Sequence, residues 1–164
     1  MMNPMVSGLG GGKMSSSDPH SKIDFLDSAE SVTTKVHMAA CEDGVTEGNG
    51  LLQITRHILM PLSALKSDPA FEHPRSNPLI TPNAPTGTLL SIKVSSSTGD
   101  ASAERHYSSI EELEKDFRGG EVTAAELKDS VSDALNKLLD PIREAFDASQ
   151  EWQELTKLAY PGSV

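Results

Sequence analysis

Residues 123–146 read TAAELKDSVSDALNKLLDPIREAF. Thr123 and Glu126 have the spacing of a capping box, in which each side chain bonds the other residue's backbone amide at the start of a helix. Pro141 is predicted to interrupt or kink this helix, because proline lacks an amide hydrogen and crowds the preceding turn. Apolar residues recur with helical period along one face: Leu127, Val131, Ala134, Leu135, Leu138 and Ile142. This stretch predicts the best-defined element of the chain.

Four further helices are predicted on either side, from capping residues and apolar stripes: residues 27–41, 51–65, 109–118 and 151–159. Asp27 is the expected N-cap of the first, Pro61 is expected to kink the second, and Gly119 and Gly120 are expected to close the third. Alternating residues 89–94, with a return near 104–107, predict a minor β-hairpin. The predicted fold class is mainly α, a small bundle of about five helices with this hairpin.

Two parts of the chain lack helical or strand periodicity. Residues 1–22 are expected to form a flexible N-terminal loop, followed by a helical domain over 23–164. Within that domain, residues at about 67–105 are expected to contain an irregular insertion, because five of the ten prolines fall at positions 69, 74, 78, 82 and 85.

Composition limits the classes of function. The 24 acidic and 14 basic residues give a net charge of −10, which excludes broad, nonspecific nucleic-acid binding but leaves room for a small specific RNA contact. Cys41 is the single cysteine, so no intramolecular disulfide forms, as is typical of a reducing compartment. No apolar run reaches the length of a membrane span. We therefore expect a cytoplasmic protein without a membrane segment.

The stretch GGGKMSSSD, residues 10–18, has two interpretations. Its glycines and serines are typical of a flexible linker. Equally, a lysine ammonium and neighbouring hydroxyls suit a loop that closes over phosphate oxygens and stabilises charge that develops on them. Neither the Walker pattern nor the dinucleotide-binding G-x-G-x-x-G pattern fits the positions of these residues.

The order Lys-Met-Ser-Ser-Ser resembles the Lys-Met-Ser-Lys-Ser signature loop of class I aminoacyl-tRNA synthetases. The form with serine at position 16 is that of archaeal and eukaryotic tyrosyl-tRNA synthetases. Further stretches resemble the same family: residues 21–27, 49–52, 57–62, 127–146 and 158–161. The chain is thus similar to the C-terminal part of such an enzyme, the signature loop plus the helical anticodon-binding domain. The proline-rich insertion and residues 95–105 lie outside the resemblance.

The resemblance implies an ATP-dependent activation of tyrosine and its transfer to tRNA(Tyr), with Mg²⁺ accompanying ATP. Lys13 would stabilise charge on the leaving phosphates, and Ser15, Ser16 and Ser17 would add hydroxyl donors or fix the turns of the loop. Met14 would anchor the loop. Because Ser16 replaces the second signature lysine, one cation would come from elsewhere or from Mg²⁺.

The resemblance also places an anticodon contact near the start of residues 123–146. Glu126 stands at the family's acidic position, where a carboxylate accepts from the N–H edge of guanine. The other interpretation is that Glu126 is only the capping partner of Thr123, which replaces the family's usual histidine. The family's stacking aromatic has no clear counterpart, and His106 or Tyr107 is the candidate to replace it.

Part of the family's machinery has no match in these 164 residues. The five histidines begin no His-Ile-Gly-His motif, and no strand–helix–strand pattern precedes Lys13. We therefore expect this chain alone not to form tyrosyl-adenylate, and its partner to be its own N-terminal catalytic domain. The full-length protein is expected to be a homodimer through that domain, and this part a monomer. The alternative is a non-catalytic helical module that binds RNA or protein.

Overall fold

The computed structural model describes residues 8–10, 21–68, 77–95 and 102–159. Its helices are α1 (Ala29–Met38), α2 (Gly50–Ile54), α3 (Met60–Ser67), α4 (Ile110–Gly119), α5 (Ala124–Ala148) and α6 (Gln150–Ala159). A π-helical turn joins α2 to α3, so the described part of the chain contains five helical rods. The strands are β1 (Leu90–Ser95) and β2 (Ser102–Tyr107). The predicted fold class, mainly helical with a minor hairpin, is confirmed.

The long helix α5 is the centre of the packing. Lys128 donates to the carbonyl of His37 at 2.9 Å, and Arg143 donates to the carbonyl of Asp27 at 2.8 Å. The first contact joins the end of α1 to the start of α5, and the second joins the residues just before α1 to the later part of α5. The two helices therefore run antiparallel. The predicted apolar face is buried through most of its length. Leu138, which was predicted for this face, is only partly buried, whereas its neighbour Leu139, which was not, is buried.

The sequence predicted the end of α4 more accurately than the two ends of α1. Helix α4 ends as expected, with Gly120 in the left-handed conformation at φ +78°. The predicted N-cap Asp27 is wrong by one residue, because Ser28 caps α1 by accepting from the amide of Ser31. The carboxylate of Asp27 instead bonds the Lys35 ammonium at 2.6 Å. Helix α1 also ends at Met38 rather than near residue 41.

The two internal prolines act differently. Before Pro61 the helix widens into the π-helical turn Thr55–Leu59, where the amide of Met60 donates to the carbonyl of Thr55. The irregularity expected at Pro61 therefore takes the form of a π turn. At Pro141 the expected interruption is absent, since α5 continues to Ala148. A proline removes one helical hydrogen bond, and here the flanking turns maintain the helix.

The hairpin pairs β1 with β2 antiparallel, from Leu90 opposite Tyr107 to Ser95 opposite Ser102. Both strands match the expected positions within two residues at each end. On β1, Leu90, Ile92 and Val94 are buried, which is the alternation expected of a strand with one covered face. This face packs toward α5.

The described end of the proline-rich segment, residues 77–88, consists of turns that are fixed to the fold at two points. Asn77 donates to the carbonyl of Ser63 on α3 at 3.0 Å. The buried Leu79 accepts at its carbonyl from the amide of Ser91 at 3.0 Å. This part of the segment therefore belongs to the packed domain. Within the described residues, no helix is both long and apolar enough to cross a bilayer.

Candidate functional site

The loop residues named from the sequence, Lys13, Met14, Ser15, Ser16 and Ser17, lie outside the described residues. The residues on either side of that segment are described, and they meet. These flanking residues are the part of the first candidate site that the structure defines.

The base of the loop is held by backbone hydrogen bonds to Ser21 and to Ala40, which follows α1, and it closely approaches the first residue of α2. The amide of Leu9 donates to the carbonyl of Ser21 at 3.1 Å, and the carbonyl of Leu9 accepts from the amide of Ala40 at 2.9 Å. Leu9 is buried in the main core. At the start of α2, a Cβ on Gly50 would lie 2.7 Å from the carbonyl oxygen of Gly8. The absence of a side chain at position 50 therefore permits the close approach of residues 8–10.

The second candidate, Glu126, lies in the first turn of α5. The side chain of Thr123 accepts from the amide of Glu126, and Glu126 Oε2 accepts from the amide of Thr123 at 2.9 Å. The predicted capping box is thus confirmed. Glu126 Oε1 makes a second contact, accepting from the amide of Ser95 at 2.5 Å. One carboxylate therefore ties the end of β1 to the start of α5.

These contacts determine the charge state of Glu126. Partial burial by itself raises the pKa of the carboxyl, but the hydrogen bonds from Thr123 and Ser95 outweigh it and hold the pKa below its usual value. Hydrogen bonds donated to the ionised form stabilise that form. Glu126 is consequently an anion at neutral pH, with one amide bonded to each oxygen.

The two candidates for the stacking residue have different surroundings. His106 is half-buried, and its Nδ1 lies 3.0 Å from Ser91 Oγ. Tyr107 is only 3% exposed, and its hydroxyl donates to Asp116 at 3.1 Å. In this conformation the tyrosine ring is part of the core, whereas the histidine ring reaches the surface beside β1.

A cavity of about 470 Å³ lies between α5, β1 and residues 78–82, and Glu126 and Ser91 both line it. Through Ser91, the cavity connects the site of Glu126 with His106. Its α5 wall also carries Asp129, which lies 3.0 Å from the His37 ring, and Asp133, which pairs with Lys137 at 2.6 Å.

Several of these contacts have no signal in the sequence. Ser95 and Glu126 are 31 positions apart, and the contact from the amide of Ala124 to Asp43 spans 81 positions at 2.5 Å. Local spacing rules predict only contacts within a few residues. Arg56 likewise pairs with Glu111 and Glu114 on α4, which are 55 and 58 positions away.

The described residues contain no group of three or more His, Cys, Asp or Glu side chains arranged to hold a metal ion. We therefore assign no metal site to this part of the chain. The arrangement instead offers an anionic acceptor, an imidazole further along the same hairpin and a cavity with both acidic and basic residues at its walls.

Comparison with known proteins identifies the relatives of this chain. Residues 1–140 match the model of the family described as tRNA synthetases class I (W and Y). The cytoplasmic tyrosine–tRNA ligase of Danio rerio is 40% identical over 164 residues, which covers 98% of this chain and 25% of that protein. The cytoplasmic tyrosine–tRNA ligase of Saccharomyces cerevisiae is 36% identical over 98% of this chain and 36% of its own length.

Solved structures agree with these matches. The tyrosyl-tRNA synthetase of Archaeoglobus fulgidus, complexed with L-tyrosine, superposes with a TM-score of 0.61 at 30% identity, covering 86% of this chain and 35% of that one. The enzyme of Aeropyrum pernix gives a TM-score of 0.63 at 27% identity, covering 92% and 36%. The chain thus spans between a quarter and little more than a third of the length of these relatives.

Proposed function

Because the chain belongs to the class I tRNA synthetases for tryptophan and tyrosine, and within them to the eukaryotic and archaeal tyrosyl type, we propose that it supplies two parts of a tyrosine–tRNA ligase. These parts are the signature loop of the ATP site and the anticodon-binding domain. The supporting observation is the continuous similarity to such ligases over 98% of the chain, including the segments on both sides of the loop.

The proposed chemistry begins with attack of the tyrosine carboxylate on the α-phosphate of ATP, and pyrophosphate leaves. The aminoacyl group then passes to the terminal adenosine of tRNA(Tyr). Lys13 stabilises the charge on the departing phosphates, and Ser15, Ser16 and Ser17 donate hydroxyl hydrogen bonds or fix the loop, with Met14 as its anchor. Mg²⁺ enters with ATP as part of the substrate.

The base of the loop supports this assignment. A loop that closes over a polyphosphate needs ends that do not move with it, because catalysis depends on precise placement of the donors. Leu9 is buried and bonded to both Ser21 and Ala40. The residues on the two sides of the segment that contains Lys13 are therefore bonded to each other, and Leu9 is also bonded to Ala40, just after α1.

We propose that Glu126 reads a base of the anticodon. An ionised carboxylate has about four lone-pair positions on its two oxygens, and the amides of Thr123 and Ser95 occupy one on each oxygen. The remaining positions can accept from the N–H edge of guanine. His106, oriented by Ser91, is the proposed stacking partner. Tyr107 is buried and supports the hairpin from the core side.

The remaining partners follow from the same assignment. The catalytic fold is supplied by the N-terminal domain of the full-length protein, which we propose to be a homodimer. We also propose that it is cytoplasmic, as the similar ligases are named. The 164-residue chain is proposed to be a monomer and to be inactive alone.

A chimera tests the catalytic part of the proposal. The chain replaces the corresponding part of the Saccharomyces cerevisiae ligase, and tyrosine-dependent pyrophosphate exchange and tRNA charging are measured. We expect activity in the chimera, its loss with Lys13→Ala, and none in the 164-residue chain. Lys22→Ala is the matched control on the far side of the loop. Exchange by the isolated chain, or a Lys13→Ala chimera as active as its parent, would contradict the proposal.

RNA binding tests the anticodon part. The 164-residue chain is titrated with tRNA(Tyr) and with a second tRNA at several salt concentrations. Tighter binding of tRNA(Tyr) is expected, with a shallow salt dependence because the chain carries a net charge of −10. Equal affinity for both RNAs, or no binding at low salt, would remove the anticodon role from this part.

A further inference from the structure

We infer that Asn49 is a positioning residue for the signature loop, because its side-chain amide fixes the two points that Gly8 and Leu9, just before the loop, contact. This role rests on the proposed function and deepens it, since Asn49 acts through other residues rather than on the substrate. Asn49 immediately precedes α2 and is only 4% exposed. It lies outside residues 10–18, which carry the loop's own chemistry.

The side chain of Asn49 uses both ends of its amide. Its Oδ1 accepts from the backbone amides of Leu51 at 3.0 Å and Leu52 at 3.2 Å, which caps α2. Its Nδ2 donates to the carbonyl of Val45 at 3.2 Å and to Cys41 Sγ at 3.3 Å. An asparagine amide offers an accepting oxygen and a donating nitrogen, so both ends have partners. One buried side chain therefore joins the turn before it to the start of α2.

The two parts that Asn49 joins each contact the chain just before the loop. Ala40 donates its amide to the carbonyl of Leu9 at 2.9 Å. The carbonyl oxygen of Gly8 lies so close to Gly50 that a Cβ there would be 2.7 Å from it. The hydrogen bonds of Asn49 reach the residue immediately after Ala40 and the residue immediately after Gly50. The side chain thereby sets the spacing between the two contacts.

Capping of α2 does not by itself require asparagine. Serine, threonine and aspartate cap helices as well, because a cap needs only an acceptor. The nitrogen of Asn49 is directed instead at the turn that follows Ala40. Catalytic donors must be held in place closely, since a misplacement of about 1 Å can cost about 100-fold in rate. The donor half of this amide is accordingly the half that matters for the loop.

Two substitutions separate the donor half from the cap. Asn49→Asp is the same size and retains an acceptor for α2, but it places an oxygen against the carbonyl of Val45. Asn49→Ser also retains an acceptor, on a shorter side chain that lacks the amide nitrogen. Both are introduced into the chimera with the Saccharomyces cerevisiae ligase. Because aspartate is a favourable cap, Asn49→Asp keeps the test available if Asn49→Ser folds poorly.

Asn77→Ser is the matched control, because Asn77 also uses both ends of its amide. Its Nδ2 donates to the carbonyl of Ser63 at 3.0 Å, and its Oδ1 accepts from the amide of Leu79 at 3.1 Å. These contacts hold residues 77–79 to α3 and involve neither Gly8 nor Leu9. A general effect of losing an asparagine network would appear in this variant as well.

The rate of tyrosyl-adenylate formation is measured in single turnover, at varied tyrosine concentration, for each variant alone and combined with Lys13→Ala. A loss of placement acts only through the loop, so it should have little further effect once Lys13 is absent. A loss of folded protein would instead reduce the rate by the same factor in both backgrounds. Hydrogen exchange at the Ala40 amide, followed in the same chimera, reports the contact with Leu9 directly.

We expect both Asn49 variants to lower the rate about 10- to 100-fold, without changing the tyrosine concentration that gives half the maximal rate. Exchange at the Ala40 amide should be faster, the loss should shrink to less than about twofold in Lys13→Ala, and Asn77→Ser should match the wild type. An unchanged rate, or the same loss in both backgrounds, would overturn the role of Asn49 and leave the proposed function standing. If the wild-type chimera forms no adenylate, the proposed function and this role both fail.

Discussion

Replacement of Glu126 by glutamine separates its structural role from its proposed role in RNA recognition. The carboxylate accepts from the amides of Thr123 and Ser95 through different oxygens. Glutamine retains one carbonyl oxygen, and its amino group cannot accept. One of the two backbone amides must therefore lose its partner, and the negative charge at the start of α5 disappears.

The expected cost can be worked out from these contacts. A hydrogen bond to a charged group contributes about 1.5–3 kcal/mol, but Ser95 is exposed, so water can replace part of the loss. The interaction of a charge with the helix N-terminus adds about 0.3–1 kcal/mol. We expect Glu126→Gln to lower the free energy of unfolding by about 1–2 kcal/mol. For a chain of this size that corresponds to a fall in Tm of about 2–8 °C.

Urea unfolding, thermal unfolding and exchange of the Ser95 amide measure this effect. Glu144→Gln is the matched control, since it removes the same charge from an exposed position on α5. The pKa of Glu126 is lower in the folded state, so its stabilisation is present above the unfolded value of about 4.3 and is lost as pH falls through the folded pKa. The difference between wild type and variant should therefore disappear in acid. Equal stability at pH 7, with unchanged Ser95 exchange, would refute the structural role.

Two further substitutions test the loop base and the segment that follows the loop. Gly50→Ala places a Cβ against the Gly8 carbonyl, so we expect the free energy of unfolding measured in urea to fall by about 1–3 kcal/mol. The control Gly10→Ala places a Cβ in open space and should be nearly neutral. Equal effects of the two substitutions would contradict the close approach of Gly8 to Gly50. Burial raises the pKa of Asp27, but the hydrogen bonds from Lys35 and the Asp24 amide outweigh it and hold the pKa low. Asp27→Asn should therefore lower the free energy of unfolding by about 2–4 kcal/mol at pH 7. The loss should be much smaller in acid, where the wild-type carboxyl is also protonated. A loss that is the same at both pH values would remove the Lys35 ion pair as its cause.

The sequence predicted elements whose signals lie within a few residues. The capping box of Thr123 and Glu126 is such a case, as is the left-handed Gly120 that ends α4. Helical periodicity also located α5, and the alternation of residues along β1 located the hairpin, to within a few residues. These features depend on local backbone geometry, which the identity of each residue strongly restricts.

The errors arise where tertiary contacts decide between local alternatives. Asp27 and Ser28 are both good capping residues, and the partly buried ammonium of Lys35 determines that Ser28 caps α1. At Pro141 the general rule favours a break, but α5 is held on both sides of the position, by Asn136 to the first residue of α1 and by Arg143 to Asp27, just before α1. Packing of an apolar face supplies most of the stability of a protein helix and offsets one lost hydrogen bond.

The two interpretations of Glu126, helix cap and base acceptor, are physically compatible. The Thr123 amide of the cap donates to one oxygen and the Ser95 amide donates to the other, and this hydrogen bonding fixes the carboxylate plane between the start of α5 and the end of β1. It also lowers the pKa, so no proton competes with an incoming N–H donor. An acceptor that is already ionised and oriented loses little conformational entropy on binding. If Glu126 reads guanine as proposed, Glu126→Gln should weaken RNA binding by more than its stability loss explains, and a guanine-to-adenine change at that base should have little further effect in the variant.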